Sequence, residues 1–371
     1  MGMEKILIVT DPMDEHHSVQ YELISSLGKK LKEKFSVSVF STYISDDKRE
    51  KLESSGINVI RARNIFWMNR FLRLFGRKNE SMLWVESWFR EAYMGRNSME
   101  AKELEGFQRV INMSTTIPVE CDILWIQGRS FFFTVSDIAK TNTRVKIALS
   151  FIGRSLKKRD INLLERLIRN SKKVVTNASY LSSFYESMGY KVDKVIHTAK
   201  DFSEFRPKCD GKRNYVLTYI GKETDLEPIL EIAGKGVRVK GFGSKVPMGI
   251  SLSRIKEAIE YLGYVNTEEL ISLYSNALFT AFPFTEEPFG YVPIESMACG
   301  TPVLSYNKEG PSETILDGKT GWLVSTRNEF VEKAMKIWRE GHTLREEDCV
   351  MRASEFSTGK VVASLLELLQ E

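Results

Sequence analysis

Long apolar runs, paired cysteines, histidine and excess charge of either sign are all scarce in this sequence. No apolar stretch approaches the ~18 residues of a membrane-spanning helix, so no such span is expected. Cys121, Cys209, Cys299 and Cys349 are scattered without a C-x-x-C pair, so neither a zinc site nor a disulfide framework is indicated. No secretory signal precedes Lys5, and the expected location is cytoplasmic. The net charge is only +4, from 53 Lys and Arg against 49 Asp and Glu, too slight to indicate a nucleic-acid partner. What is present is ordinary globular material, 42% hydrophobic and 27% charged. The 371 residues predict two domains, because single cores rarely grow beyond ~250–300 residues.

The first half alternates strand and helix. Strands are expected at 5–10, 36–41, 57–61, 122–127, 145–150 and 173–177, and helices at 19–34, 161–170 and 180–189. The second half restarts with strands at 215–220 and 237–241, a strand ending near 263–265 and a helix at 268–275. Helices at 328–339 and 359–369 close the chain. Such alternation predicts parallel, doubly wound sheets, which bind ligands at the C-terminal ends of their strands. Gly241-x-Gly243 reads either as a tight turn or as a phosphate loop.

The most informative stretch runs from Pro283 to Val324. A buried strand over 277–282 leads into the loop Glu286-Glu287-Pro288-Phe289-Gly290. A helix opens near Tyr291, with Pro293 tolerated in its first turn. Gly300 suits the left-handed position past its end, and a strand follows at 302–306. This reading leaves free amides around Phe289, Gly290 and Tyr291, a place for phosphate oxygens. Glu295 would lie roughly 6–7 Å further along the axis, about the reach from a diphosphate to its ribose. Two carboxylates, Glu287 and Glu295, suit a bare phosphate badly. They suit a ligand with hydroxyls at both ends, as in a nucleotide sugar.

Glu287 and Glu295 also have an E-x7-E spacing. With Glu287-Pro288-Phe289-Gly290, Glu295-Ser296-Met297-Ala298-Cys299-Gly300-Thr301-Pro302-Val303, Gly310-Pro311-Ser312-Glu313, Gly318, Gly321 and Leu323-Val324, this stretch resembles the retaining glycosyltransferases of family 4. The resemblance implies a GT-B architecture: two Rossmann-like, doubly wound parallel-sheet α/β domains facing a cleft, with a C-terminal helix crossing back to the N-terminal domain. It would divide the chain into an acceptor-side domain (1–205), a nucleotide-sugar domain (206–355) and the terminal helix (356–371). The activity implied is transfer of a sugar, of hexosyl type, from a nucleoside-diphosphate sugar to a hydroxyl of a glycan or lipid-linked acceptor. Retention, no metal and no cofactor are implied as well.

Carried onto this chain, Gly221, Lys222, Phe289, Gly290, Tyr291 and Glu295 would bind the donor, and Glu287 would meet the transferred sugar. The chain departs from the family pattern in three places. Gln127 stands where many members have histidine, and it keeps hydrogen bonding without a charge change near neutral pH. Lys222 stands for an arginine, without the bidentate fork. Glu227 stands where a second cation is usual, with Lys240 or Lys245 as substitutes. His16 and His17, in the loop after the first strand, either hydrogen-bond an acceptor hydroxyl or cap a helix. Arg129 faces the ligand or solvent. The other reading of the chain is a nucleotide-sugar-binding regulatory protein without transfer activity.

Residues 64–78 carry Trp67, Phe71, Leu74 and Phe75 at helical spacing among Arg70, Arg73, Arg77 and Lys78. Such a helix either lies peripherally in a membrane interface, at the inner face, or packs on its own domain. With the aromatic-rich 82–93 it could also form one helical hairpin over the sheet.

Overall fold

The computed structural model describes residues 3–13, 19–61, 80–94, 105–141, 143–208, 211, 213–221, 223–244, 246 and 250–371. The chain divides into two compact units, Met1–Ala199 with Val361–Glu371, and Lys200–Lys360. Each is built on its own parallel sheet.

The first unit contains β1 (Lys5–Thr10), β2 (Ser36–Ser41), β3 (Asn58–Arg61), β4 (Arg109–Asn112), β5 (Cys121–Ile126), β6 (Ser171–Thr176) and β7 (Lys194–Val195). Their order is β3-β2-β1-β4-β5-β6-β7, all parallel. β1 shows why the sequence reads as a strand buried on both faces. Ile6 and Ile8 pack on one side with Leu23, Ile24 and Leu27 of the helix Val19–Leu31 and with the terminal helix Thr358–Gln370. Leu7 and Val9 pack on the other with Trp88, Leu163 and Leu181.

Residues 145–150, expected as a strand, are helical: they open the 27-residue helix Thr143–Arg169. The alternation Val145-Lys146-Ile147-Ala148-Leu149 imitates a half-buried strand, yet Ile147 is 56% exposed and Phe151 84%. The helix is anchored further on by Leu156, Leu163, Leu164 and Leu167, at helical spacing. The sheet has no room for the expected strand, because β6 pairs directly with β5. In this sheet sequence reading missed β4, four residues long and followed by polar Ser114-Thr115-Thr116, and the two-residue β7.

In the helix Glu80–Met94, Trp88 is buried, donates from Nε1 to Asp160 Oδ1 at 2.8 Å and stacks on Phe131 at 4.1 Å. Trp84 Nε1 donates to Thr115 Oγ1 at 2.8 Å. Trp88 is therefore core and Trp84 and Tyr93 pack against it, whereas Phe89 is exposed; 64–78 lies outside the described residues. Among those described, no helix is long and apolar enough to cross a membrane.

The second unit contains β8 (Val216–Tyr219), β9 (Val239–Phe242), β10 (Glu260–Gly263), β11 (Phe279–Phe282), β12 (Val303–Tyr306) and β13 (Gly321–Val324). Their order is β10-β9-β8-β11-β12-β13, again parallel throughout. Leu217, Ile229, Phe279, Ile294 and Phe330 belong to one core. In both sheets the strand order reverses beside the first strand, between β1 and β4 and between β8 and β11. At such a reversal neighbouring loops leave in opposite directions and open a crevice at the strand ends.

The terminal helix places Val361, Val362, Leu365, Leu368 and Leu369 in the first unit's core. Leu365→Ala should lower that unit's unfolding free energy by about 2–5 kcal/mol. Glu367→Ala, on the exposed face of the helix, should change it by less than about 0.5 kcal/mol. Urea unfolding followed by tryptophan fluorescence measures both.

Candidate functional site

The reversal in the second sheet places two loops together, Ile220–Thr224 after β8 and Pro283–Gly290 after β11. The first loop is tight: Gly221 N donates to Thr224 Oγ1 at 3.2 Å and Thr224 N returns to Gly221 O at 3.1 Å. A side chain on Gly221 would collide with the Tyr219 ring, its Cβ 2.1 Å from Cε1. Gly243 has φ +112 and donates to Gly263 O at 2.7 Å, so Gly241-x-Gly243 is a turn tied to the end of β10. Lys222 lies outside the described residues, as do Lys245, His16 and His17.

The second loop leads into the helix Tyr291–Ala298, whose N-cap Gly290 has φ +94. Its amides are not free as the sequence suggested. Glu287 Oε1 accepts from Gly290 N at 3.0 Å and from Phe289 N at 3.3 Å. The reason is local: a carboxylate two and three residues ahead of unsatisfied amides at a helix N-terminus is the nearest anion available to them. Glu287 is itself clamped, because its N donates to Glu309 Oε2 at 2.6 Å and its O accepts from Gly310 N at 3.1 Å. Gly310 must be glycine here, since an added Cβ would lie 2.3 Å from Phe289 Cα. Glu309 takes the uncommon φ of +51 beside it.

Glu295, one turn inside the helix, is 9% exposed. Its Oε1 lies 2.8 Å from Lys200 Nζ, and its Oε2 accepts from Tyr274 Oη at 3.3 Å. Burial, and then the carboxylates of Glu223, Glu287 and Glu295, hold the Tyr219 hydroxyl protonated well above its ordinary range. Glu223, Glu287 and Glu295 thus all act electrostatically on Tyr219. Sequence reading missed Tyr219, Glu223, Tyr274, Glu309 and Lys200. The cue for Lys200 was a cation two residues ahead of Phe202 in the stretch 195–207.

One proposed substitute for the second cation, Lys240, and Glu227, at the position where that cation is usual, are both engaged elsewhere. Lys240 pairs with Glu260 at 3.2 Å and lies over the Tyr215 ring, on strands away from the switch point. Glu227 is held on the surface by both guanidinium nitrogens of Arg254, at 2.8 and 3.2 Å. Among the described residues, no group of three or more His, Cys, Asp or Glu side chains could hold a metal.

The first unit's switch point is closed by a buried carboxylate. Asp11, just after β1, accepts from Ser114 Oγ at 2.5 Å, Thr115 Oγ1 at 2.8 Å, Thr116 Oγ1 at 3.0 Å and the Thr115 amide. Burial still raises its pKa against these donors. At the end of β5, Gln127 Oε1 accepts from Thr198 Oγ1 at 3.1 Å and Asn177 Nδ2 at 3.4 Å. Its Nε2 is buried and has no partner among the described residues. Arg129 is paired with Asp137 at 2.7 Å and lies over Phe184.

Burial, and next the Glu223 carboxylate, push Glu287 up to about 7 against the two amides that lower it, with Glu309 adding a further rise. From about pH 4.5 to about 7 the folded chain holds this proton more tightly than the unfolded chain does. Stability from this group therefore falls as pH rises through that window, by up to about 3 kcal/mol at ~1.36 kcal/mol per unit. Glu287→Gln keeps an acceptor for the amides and removes the titration. Its unfolding free energy relative to wild type should rise by about 2–3 kcal/mol between about pH 5 and about pH 8. Parallel pH profiles in urea titrations would contradict the raised pKa.

Residues 222–352 match the family model described as Glycosyl transferases group 1. Over 134 residues the chain is 45% identical to the alpha-1,3/1,6-mannosyltransferase alg-2 of Neurospora crassa, covering 33% of this chain and 28% of that one. It is 26% identical over 233 residues to the D-inositol 3-phosphate glycosyltransferase of Mycolicibacterium smegmatis, covering 54% and 52%. A probable sucrose-phosphate synthase of Thermosipho melanesiensis is 34% identical over 116 residues, 30% of this chain and 27% of that one. The chain spans about a quarter to a half of the length of these curated relatives. Among solved structures, Anabaena HepE in complex with UDP and glucose superposes with a TM-score of 0.64 at 13% identity, covering 100% of both chains. The sucrose-phosphate synthase of Thermosynechococcus elongatus gives 0.63 at 15% identity, covering 99% and 98%. At such identities the likeness is one of fold: two Rossmann-like parallel-sheet units, the GT-B architecture.

Proposed function

We propose that this protein is a retaining glycosyltransferase that moves a sugar from a nucleoside-diphosphate sugar, bound by the second unit, to a hydroxyl acceptor received by the first. The observation that carries this reading is the convergence of Glu287, the Gly290 amide and Glu295 at the switch point between β8 and β11, inside the segment that matches the glycosyl transferases group 1 model. Neighbours in fold that were solved with UDP or UDP-glucose support a nucleoside-diphosphate donor. The inositol-phosphate relatives support a hydroxyl acceptor.

In this reading Glu295 receives the ribose hydroxyls, and the N-terminus of the helix Tyr291–Ala298, with Gly221 and Lys222, binds the diphosphate. Preorganised amides there stabilise the charge that grows on the leaving group. The bond from the anomeric carbon to the diphosphate oxygen breaks while the acceptor oxygen bonds to the same face. The acceptor's proton passes to the departing phosphate. Glu287 meets the sugar as it gains positive charge, and Gln127 Nε2 is the donor left over for a substrate hydroxyl. His16 and His17 are assigned to the acceptor side. No metal is required in this scheme.

One observation favours a second reading, nucleotide-sugar binding without transfer: Glu287 occupies amides that a phosphate would use. Turnover of labelled nucleotide sugars with cell extract, run in EDTA, separates the two. The proposal expects transfer, and turnover that needs added magnesium or manganese would contradict the metal-free scheme.

Glu295→Ala should weaken nucleoside-diphosphate affinity tenfold or more, on the order of 1.4 kcal/mol. Glu287→Ala, which frees the Phe289 and Gly290 amides, should not weaken that affinity and should lower kcat by a factor on the order of 10². Calorimetry and steady-state rates measure the pair, and an unchanged affinity in Glu295→Ala would remove the ribose role.

We also propose that residues 64–78 contact the membrane peripherally, which would suit a lipid-linked acceptor. Each cation near an anionic surface contributes ~1 kcal/mol. Wild-type protein should float with anionic liposomes at low salt, and the variant with Arg70, Arg73 and Arg77 changed to Ser should float less. Wild-type protein that stays at the bottom of the gradient would leave a soluble acceptor.

A further inference from the structure

The candidate site gathers more carboxylates than Lys222, the one cation named in the donor reading, can offset. Glu223, Glu287 and Glu295 act together on Tyr219, and Glu309 reaches the Glu287 amide. A diphosphate placed at this helix N-terminus would meet repulsion from carboxylates on several sides. Backbone amides supply only partial charges there, and at this helix two of them already serve Glu287.

Among the described residues, Lys200 is a cation built into this surface. Its ammonium is 2.8 Å from Glu295 Oε1, with both side chains close to nine-tenths buried at 12% and 11% exposure. It lies 5.6 Å from the ring centroid of Tyr291, the first residue of the helix, and 5.1 Å from that of Phe205. The ammonium therefore spans the first turn, between the residue that opens the helix and the carboxylate one turn inside it. Its backbone is fixed from both sides: Lys200 N donates to Phe356 O at 3.0 Å and Thr358 N donates to Lys200 O at 3.1 Å. A long flexible side chain on a fixed backbone can redirect its three N–H donors without moving the fold. Lys308, by contrast, is exposed and donates to Thr285 O at 2.8 Å.

We propose that Lys200 is a diphosphate-binding residue, held by Glu295 in the ligand-free protein and turned toward the diphosphate when Glu295 accepts the ribose hydroxyls. The inference rests on the nucleoside-diphosphate reading of the site. It adds the residue that lets a carboxylate-rich helix N-terminus take an anion. The exchange needs no net change of charge: Glu295 trades an ammonium for hydroxyl donors, and the ammonium trades a carboxylate for phosphate oxygens.

The test is a comparison of a nucleoside diphosphate with its own nucleoside. Calorimetry of the wild type with UDP, GDP and ADP selects the diphosphate, and competition measures the parent nucleoside. Lys200→Gln should weaken the diphosphate tenfold or more and the nucleoside less than threefold, and Lys200→Arg should restore most of the loss. Equal weakening of both ligands, or no weakening of either, would reduce Lys200 to a structural partner of Glu295 and overturn the proposal. Should Lys200→Gln fail to fold because it leaves Glu295 buried and unpaired, the double variant Lys200→Gln/Glu295→Gln is compared with Glu295→Gln alone. The same tenfold loss specific to the diphosphate is expected there, and equal affinities would overturn the proposal. A wild type that binds none of the three diphosphates would overturn the donor reading itself.

Discussion

A carboxylate buried one turn inside a helix demands a counter-charge, and the second unit answers Glu295 with Lys200. Taking both ions out of water is costly, and the cost is offset only by short contact and by further donors such as Tyr274 Oη. Much of the candidate site follows from that constraint. Lys200 can reach Glu295 because residues 356–358 pin its backbone, and Glu295 sits where it does because Gly290 lets the helix open at Tyr291. An uncompensated carboxylate at this depth would neutralise itself or unfold the turn. The paired one remains available to hydroxyl donors on its other lone pairs.

Glu287 solves the neighbouring problem in the opposite way. Among the described residues no cation pairs with it, and Glu223 and Glu309 both raise its pKa, so it leans on two amides. The two carboxylates of the E-x7-E pair are therefore physically unlike. One is paired with an ammonium, and the other, its pKa raised to about 7, rests on amides at a helix N-terminus. That difference suits one of them to holding a spectator group and the other to meeting a centre whose charge changes.

Much of this was legible in the sequence, for identifiable reasons. β1 was readable to the residue because a continuous apolar run bounded by polar ends has few alternatives, and β2 because its serine-valine alternation has the period of a strand. The segment from strand through Gly290 and Pro293 to Gly300 was readable because glycine and proline restrict the backbone locally. The helix over 145–150 was not, since an exposed helical start with alternating apolar residues has the period of a strand. Nor were the Lys200–Glu295 pair, the clasp of Asp11 by 114–116, or the occupation of the Gly290 amide. Each depends on side chains brought together by the sheet order across roughly 100 residues, or on a choice of acceptor that spacing alone leaves open.

The central claim is that the amides opening the helix Tyr291–Ala298 are an anion site, held by Glu287 until a nucleoside diphosphate arrives. Labelling the protein with carbonyl-13C phenylalanine and 15N glycine singles out the Phe-Gly pairs, which occur only at 75–76, 242–243 and 289–290. The Gly290 amide signal should shift saturably as the diphosphate is added, with the dissociation constant found by calorimetry. A diphosphate that binds while the Gly290 signal stays fixed would contradict the claim.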